Sequence, residues 1–309
     1  MGRATDTACM TLPRQIVPGR TYLVTRRCRD RRFLLRPDAT VNRIFRYCIA
    51  RAAERCGASI HAVVVLSNHF HIVLTDEKGN LPVFCHWLDR FSASAINAWR
   101  SRRGNVFEAS EKVSVVWLAS EEAVIDKLAY LFGNPVCAGL VDNYRQWPGF
   151  CTRIEHLAGH SAISQRPDVY FRPAHHRATC RLTLGAPPMF RGREAWLIRA
   201  VKQRVREMSI QVLRQLRRAN RRVLGTEAVL ATSWSDAPAT DSEGAVVRPT
   251  FAAVTKSVLL ACVHARREFC AAYQRALAAF RRGVRDVVFP CGTWWMTYFG
   301  GAKQNASIA

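Results

Sequence analysis

The sequence predicts an α+β fold: a ferredoxin-like split β-α-β antiparallel sheet, followed by a mainly α-helical, strongly basic C-terminal region. Three observations point to it. Through the first half, apolar patterns follow the order strand, helix, strand, strand, helix, strand, helix. The two middle strands are joined by Ser67-Asn68, turn-forming residues that mark a tight hairpin. Beyond about Pro173 the strand patterns give way to long arginine-rich amphipathic stretches.

Residues 1–19 read as a lead-in. Thr21-Tyr22-Leu23-Val24-Thr25 forms a first strand that runs into Arg26, Arg27, Arg29, Arg31 and Arg32. Asp38 can cap a helix that stops at Gly57, with Val41, Ile44, Phe45, Cys48, Ile49 and Ala52 on one face. Ile60–Val65 is too short and too β-branched for a helix and pairs with Leu66–Leu74 as the hairpin. Asn68 can take the left-handed backbone such a turn often needs. Alternation puts His69 and His71 on one face of the second strand, and Phe70, Ile72 and Leu74 on the other. A second helix runs from about Pro82 to about Arg100, with Phe84, Leu88, Phe91, Ala95 and Trp99 in one stripe. Val113–Leu118 is a fourth strand. Ser120 caps a third helix, and Glu121 and Glu122 suit its positive N-terminal end. Val124, Ile125, Leu128 and Phe132 make its apolar side, while Tyr130 shares the more polar side with Ala123, Asp126 and Lys127. Asn134 follows on that same face, and Pro135 should end the helix near it. The implied layout has helices on one face of the sheet and the other face open for chemistry.

Composition narrows the partners. The 309 residues carry 46 Lys and Arg against 23 Asp and Glu, a formal net charge of +23, which favours a polyanion and most often nucleic acid. A hydrophobic content of 49% fits a folded chain and not a disordered one. The 11 cysteines are scattered, with no Cys-x-x-Cys pair. That excludes a disulfide framework and a zinc ribbon and fits a reducing cytoplasm. The first residues lack the apolar core of a signal peptide, Asp6 breaks the myristoylation pattern begun by Met1-Gly2, and no apolar run approaches a membrane span.

Two imidazoles side by side on a strand make a rigid pair of nitrogen ligands for a divalent metal. Taken alone, His69 and His71 also fit two half-buried histidines, and Tyr130 a half-exposed aromatic. Their surroundings add to the pattern. Ser67-Asn68-His69-Phe70-His71-Ile72-Val73-Leu74, then Ala129-Tyr130-Leu131-Phe132-Gly133-Asn134-Pro135-Val136-Cys137-Ala138-Gly139-Leu140-Val141, then Trp147-Pro148, resemble the REP-associated tyrosine transposases. These are bacterial relatives of the single-tyrosine HUH transposases, and the likeness is to the long form with a C-terminal extension. It covers roughly residues 15–155 and departs at Leu131, usually Ile, and at Cys137, commonly basic or polar. The resemblance implies an HUH nuclease domain at about 20–155, with His69, His71 and Asn134 as metal ligands and Tyr130 as nucleophile. The reaction implied is metal-dependent cleavage and transfer of single-stranded DNA beside palindromic hairpins, through a 5′-phosphotyrosine. The metal would be Mg²⁺ or Mn²⁺, and two imidazoles with an amide suit Mn²⁺ somewhat better. The expected partner is single-stranded or hairpin DNA, with no membrane, for a cytoplasmic, nucleoid-associated monomer or homodimer. Two other readings stay open: a catalytically silent DNA-binding protein of repeat elements, and a replication-initiator-type nickase. A zinc deaminase is set aside, because neither His-x-Glu nor Pro-Cys-x-x-Cys occurs.

After a connecting segment at 156–190, a basic helical region is expected over 191–309. Arg204, Arg206, Arg214, Arg217, Arg218, Arg221 and Arg222 lie among Trp196, Leu197, Val201, Val205, Val212 and Leu216, as a DNA-facing helix or one packed on the first domain. Arg26, Arg27 and Lys127, beside the motifs, are further expected DNA contacts. Ser233–Gly244 reads as a linker and residues 251–282 as one long helix. The aromatics of Phe289–Met296 suit either a core clasp or stacking on unpaired bases. The His175-His176 pair stands in a loop without further ligands.

Overall fold

A computed structural model describes residues 13–109, 113–239 and 249–305. Its contacts define two compact units. One is Gly19–Val254, and the other joins the described residues before Gly19 to those from Thr255 onward.

The larger unit is built on strands β1 (Arg20–Arg27), β2 (Ala58–Val65), β3 (His69–Asp76), β4 (Ser114–Leu118), β5 (His160–Gln165), β6 (Thr179–Leu184) and β7 (Phe251–Ala252), in the order β5-β6-β2-β3-β1-β4-β7. β3 lies antiparallel between β1 and β2, and β4 runs antiparallel on the far side of β1. This is the connectivity of a split β-α-β sheet. β1 leads to β2 through α1 (Ala39–Cys56), and β3 leads to β4 through α2 (Leu81–Trp99). Asp38 caps α1 by accepting from the Val41 N–H, and Gly57 closes it at φ 67°, a left-handed angle that a side chain would strain.

Both faces of the sheet are covered, contrary to the open face expected. On one side Phe70 meets Phe45 of α1 and Phe107, with ring centroids 5.5 and 5.8 Å apart. On the other, Leu23, Val64, Val73 and Val116 pack against α3 (Glu121–Cys137) and α4 (Glu194–Arg218) in one buried cluster. α4 follows α3 in the same direction: Arg193 pairs with Glu121, Arg204 with Asp126 at 3.2 Å, and Met208 lies over Gly133. Its Leu197, Val201 and Val205, spaced four apart, are buried, so the helix packs on the first domain through this stripe. The segment 156–190 supplies β5 and β6. The contacts therefore divide the chain before Gly19 and before Thr255, where the sequence suggests boundaries near 155 and 190. Leu197→Ala should lower unfolding free energy by about 3 kcal/mol, read from the urea midpoint, because the pocket between α3 and α4 loses its filling.

Several local expectations are corrected. Helix α3 continues past Asn134 to Cys137 with Pro135 inside it, and the N–H groups of Ala138, Gly139 and Leu140 fold back on the Asn134, Val136 and Pro135 carbonyls. Pro135 sits in the last turn, where its missing N–H costs one bond and the chain need not bend away. On α3, Ala123, Ala129 and Leu131 are buried as well, because the helix is sandwiched between sheet and α4. On α2, Trp99 is exposed and donates its indole N–H to Asp38 at 3.2 Å. Asn68 is not left-handed; the turn is closed by the Leu66 N–H donating to the His69 carbonyl at 2.8 Å.

The smaller unit is organised by α6 (Lys256–Arg281), followed by β8 (Val288–Phe289), α7 (Trp294–Tyr298) and the parallel β9 (Lys303–Gln304); the short α5 (Thr226–Ala231) belongs to the larger unit. Residues 251 and 252 are strand β7, so the long helix starts later than expected. Phe289 is fully buried against Tyr273 and Phe280, while Trp295, Tyr298 and Phe299 are exposed. Residues 240–248 of the expected linker lie outside the described residues. His176 packs edge-on against Phe91 and Phe171. No helix among the described residues is long and apolar enough to cross a membrane.

Candidate active site

The His-x-His pair stands at the start of β3, where alternation directs both rings to the α3 side. Their centroids are 4.9 Å apart at 80°. Strand register sets their neighbours: Thr25 is opposite His71 and Arg27 opposite His69. Thr25 Oγ1 lies 2.7 Å from His71 Nδ1, and Asn68 Oδ1 lies 2.7 Å from His69 Nδ1. Each ring is thus held through Nδ1. His71 Nε2 is buried and has no hydrogen-bond partner.

A third buried histidine supplies a comparison. His61 on β2 uses both nitrogens, Nδ1 against the Gly185 carbonyl and Nε2 against Thr75 Oγ1, each at 2.8 Å. It is a satisfied core histidine. A buried polar atom left unpaired costs free energy, so the Nε2 of His71, unlike that of His61, is available to a ligand.

Burial lowers all three imidazoles: His61 and His69 to about 4, and His71 well below the usual range, with the neighbouring His69, Arg27 and Lys127 charges adding to its shift. The rings are neutral at pH 7, as metal ligation requires. Depressed imidazoles stabilise the fold above pH 6.5, and this contribution is lost as pH falls toward 4. The urea midpoint should decline across that interval. His61→Gln should reduce the slope by about 1.4 kcal/mol per pH unit, one proton's worth.

Tyr130 reaches this pair from α3, with its ring 5.3 Å from that of His71 and 38% of its surface exposed. Burial raises its pKa, while a hydrogen bond from the Asn134 side chain and the charge of Arg27 act the other way and favour the phenolate. Lys127 Nζ lies 5.8 Å from the Tyr130 ring centroid. Asn134 itself is 6% exposed. His69, His71, Tyr130, Asn134, Arg27 and Lys127 therefore gather in one place. Among the described residues no cluster of three His, Cys, Asp or Glu exists, so a metal here would have to draw on the Asn134 amide or on water.

Arg26 does not join them. Alternation turns it to the Phe70 face, where Nε pairs with Asp89 of α2 at 2.9 Å and the guanidinium lies over Phe107, which leaves the side chain 13% exposed. As an expected DNA contact it is corrected, because this cation is neutralised inside the protein. Arg206, Arg214, Arg217, Arg218, Arg221 and Arg222 are exposed on or just after α4 without acidic partners among the described residues; Arg204 is exposed but paired to Asp126. Thr25 escapes a reading of motifs, and Asn68, though it stands in the motif, is read there only as a turn residue. The pairing of β1 with β3, not the hairpin itself, places Thr25 across from His71.

The chain is similar to two transposases of known structure. One is described as "Structure of the REP associates tyrosine transposase bound to a REP hairpin", at 20% identity and a TM-score of 0.40, over 54% of this chain and 97% of that one. The other is a putative transposase from Deinococcus radiodurans R1, at 19% identity and a TM-score of 0.29, over 39% and 95%. No protein-family model and no curated protein matches the chain.

Proposed function

We propose that the protein is a metal-dependent, HUH-type tyrosine transposase that cleaves and rejoins single-stranded DNA beside palindromic hairpins. The observation that carries this is the buried, unpartnered Nε2 of His71, in a ring that packs against a tyrosine. His69 and His71 would hold the ion, with the Asn134 amide oxygen within the same cluster as third protein ligand. A bound Mg²⁺ or Mn²⁺ supplies the Lewis acid that draws charge from the non-bridging phosphate oxygens.

The chain's own groups account for the remaining steps. Tyr130 Oη, relieved of its proton to solvent, attacks phosphorus; the bond to the 3′ oxygen breaks, and that oxygen leaves with the electron pair and takes up a proton. Asn134 and Arg27 favour the phenolate, and Lys127 adds positive charge nearby. The 5′-phosphotyrosine keeps the phosphodiester's bond energy, so an incoming 3′-hydroxyl can reverse the step on a new strand.

Exposed arginines on and after α4 supply phosphate contacts. Binding should weaken with salt, and the log–log slope should fall by about 0.7 for each arginine replaced among Arg214, Arg217 and Arg218, as measured on a single-stranded oligonucleotide. The deciding experiment for the whole reading is incubation with hairpin oligonucleotides from around the protein's own gene, with Mn²⁺. A denaturant-resistant protein–DNA adduct is expected, lost in chelator. Hairpin binding without any adduct would leave a DNA-binding protein without this chemistry.

A further inference from the structure

Between β1 and α1 the chain crosses Arg29-Asp30-Arg31-Arg32, where two successive non-glycine residues are left-handed: Asp30 at φ 53° and Arg31 at φ 54°. That conformation is unfavourable for side-chain-bearing residues and persists only where the surroundings hold it. The hairpin turn supplies part of that support. The Cys28 N–H donates to the Asn68 carbonyl at 2.7 Å, and the Leu35 N–H donates to the Ser67 carbonyl at 2.9 Å. The Asn68 side chain supplies more, with Nδ2 donating to the Arg31 carbonyl at 3.2 Å.

The same amide touches His69 with its other end, Oδ1 to Nδ1 at 2.7 Å. The chemistry fixes the direction of both bonds. A backbone carbonyl only accepts, so the NH₂ end must face Arg31 and the oxygen must face His69. An oxygen only accepts, so His69 must carry its proton on Nδ1, which leaves the Nε2 lone pair free for a cation. One side chain thus selects the tautomer of a metal ligand and braces a strained, arginine-bearing loop.

We propose that Asn68 is a positioning residue that couples the two: it presents His69 Nε2 to a divalent cation and holds the Arg29–Arg32 loop in its left-handed form beside the site. The loop exposes Arg29 and Arg32 to solvent, where a DNA phosphate would be met. The cation half of this inference rests on the metal-dependent reading above.

The two outputs separate chemically. Asn68→Ala removes both. Asn68→Asp keeps an acceptor for the His69 proton but cannot donate to the Arg31 carbonyl. The test uses the full chain, with Mn²⁺ binding followed by calorimetry and trypsin cleavage after Arg31 and Arg32 followed by mass spectrometry. Melting temperatures close to wild type confirm that each variant folds. Asn68→Ala should bind Mn²⁺ about 10- to 100-fold more weakly, the range for loss of a group that orients a metal-ligating histidine. It should also be nicked about fivefold faster, the fold-change for one lost hydrogen bond. Asn68→Asp should be nicked as fast yet hold Mn²⁺ at least as tightly as wild type. Equal Mn²⁺ affinity in wild type and Asn68→Ala would overturn the tautomer role. An unchanged nicking rate in both variants would overturn the loop role. A wild-type protein that takes up no Mn²⁺ would instead refute the metal reading itself, and the cation half of this inference with it.

Discussion

Tyr130→Phe is expected to abolish the covalent protein–DNA adduct while hairpin affinity stays within about twofold, because phosphate contacts elsewhere supply the binding. The substitution removes one oxygen and keeps the ring that packs 5.3 Å from His71, so the site should retain its shape. Gel analysis under denaturing conditions reads the adduct, and fluorescence anisotropy reads binding. Adduct formation by the variant would move the nucleophile elsewhere. Tyr144 is poorly placed to take over: its ring packs by Phe132 at 6.2 Å and its hydroxyl accepts from Arg145.

His71→Ala should be as severe, with no cleavage even at saturating Mn²⁺ and a fall in Mn²⁺ affinity of more than about 100-fold. Loss of a direct ligand should exceed the 10- to 100-fold cost of losing a group that merely orients one. One remaining imidazole cannot hold an ion in a fixed geometry. Some stability should be lost with it, because the buried ring gives up its contacts with His69, Tyr130 and Thr25, so a melting temperature is measured beside the affinity. Cleavage by the wild-type protein in excess chelator would defeat the metal assignment outright.

The four strands and three helices of the first half are legible in the sequence because apolar periodicity marks each of them and caps close two of the helices. Asp38, Gly57 and Ser120 perform at the helix ends what their residue types suggest. The gathering of His69, His71, Tyr130 and Asn134 is legible too, as two motifs whose meaning depends on being brought together. What the sequence withholds is long-range. The stripe Leu197-Val201-Val205 looks the same whether it faces water-excluding neighbours or a partner, and only the packing of α4 on α3 decides. β6 alternates buried and exposed residues, yet its pairing with β2 at Ile60 and Leu184 spans more than a hundred residues. Arg26 resembles its neighbour Arg27 in sequence, but strand alternation sends one to Asp89 and leaves the other in solvent.

The close approach of the Tyr130 ring to His71 within a single chain has a consequence for stoichiometry. If Tyr130 is the nucleophile proposed above, it and the imidazole pair come from the same molecule, and no exchange of helices between subunits is needed to assemble the centre. Turnover per molecule should not depend on protein concentration, and a mixture of Tyr130→Phe and His71→Ala proteins should fail to complement. Each chain would then hold one 5′ end at a time, and joining two distant ends would require two chains acting in concert or one chain acting twice.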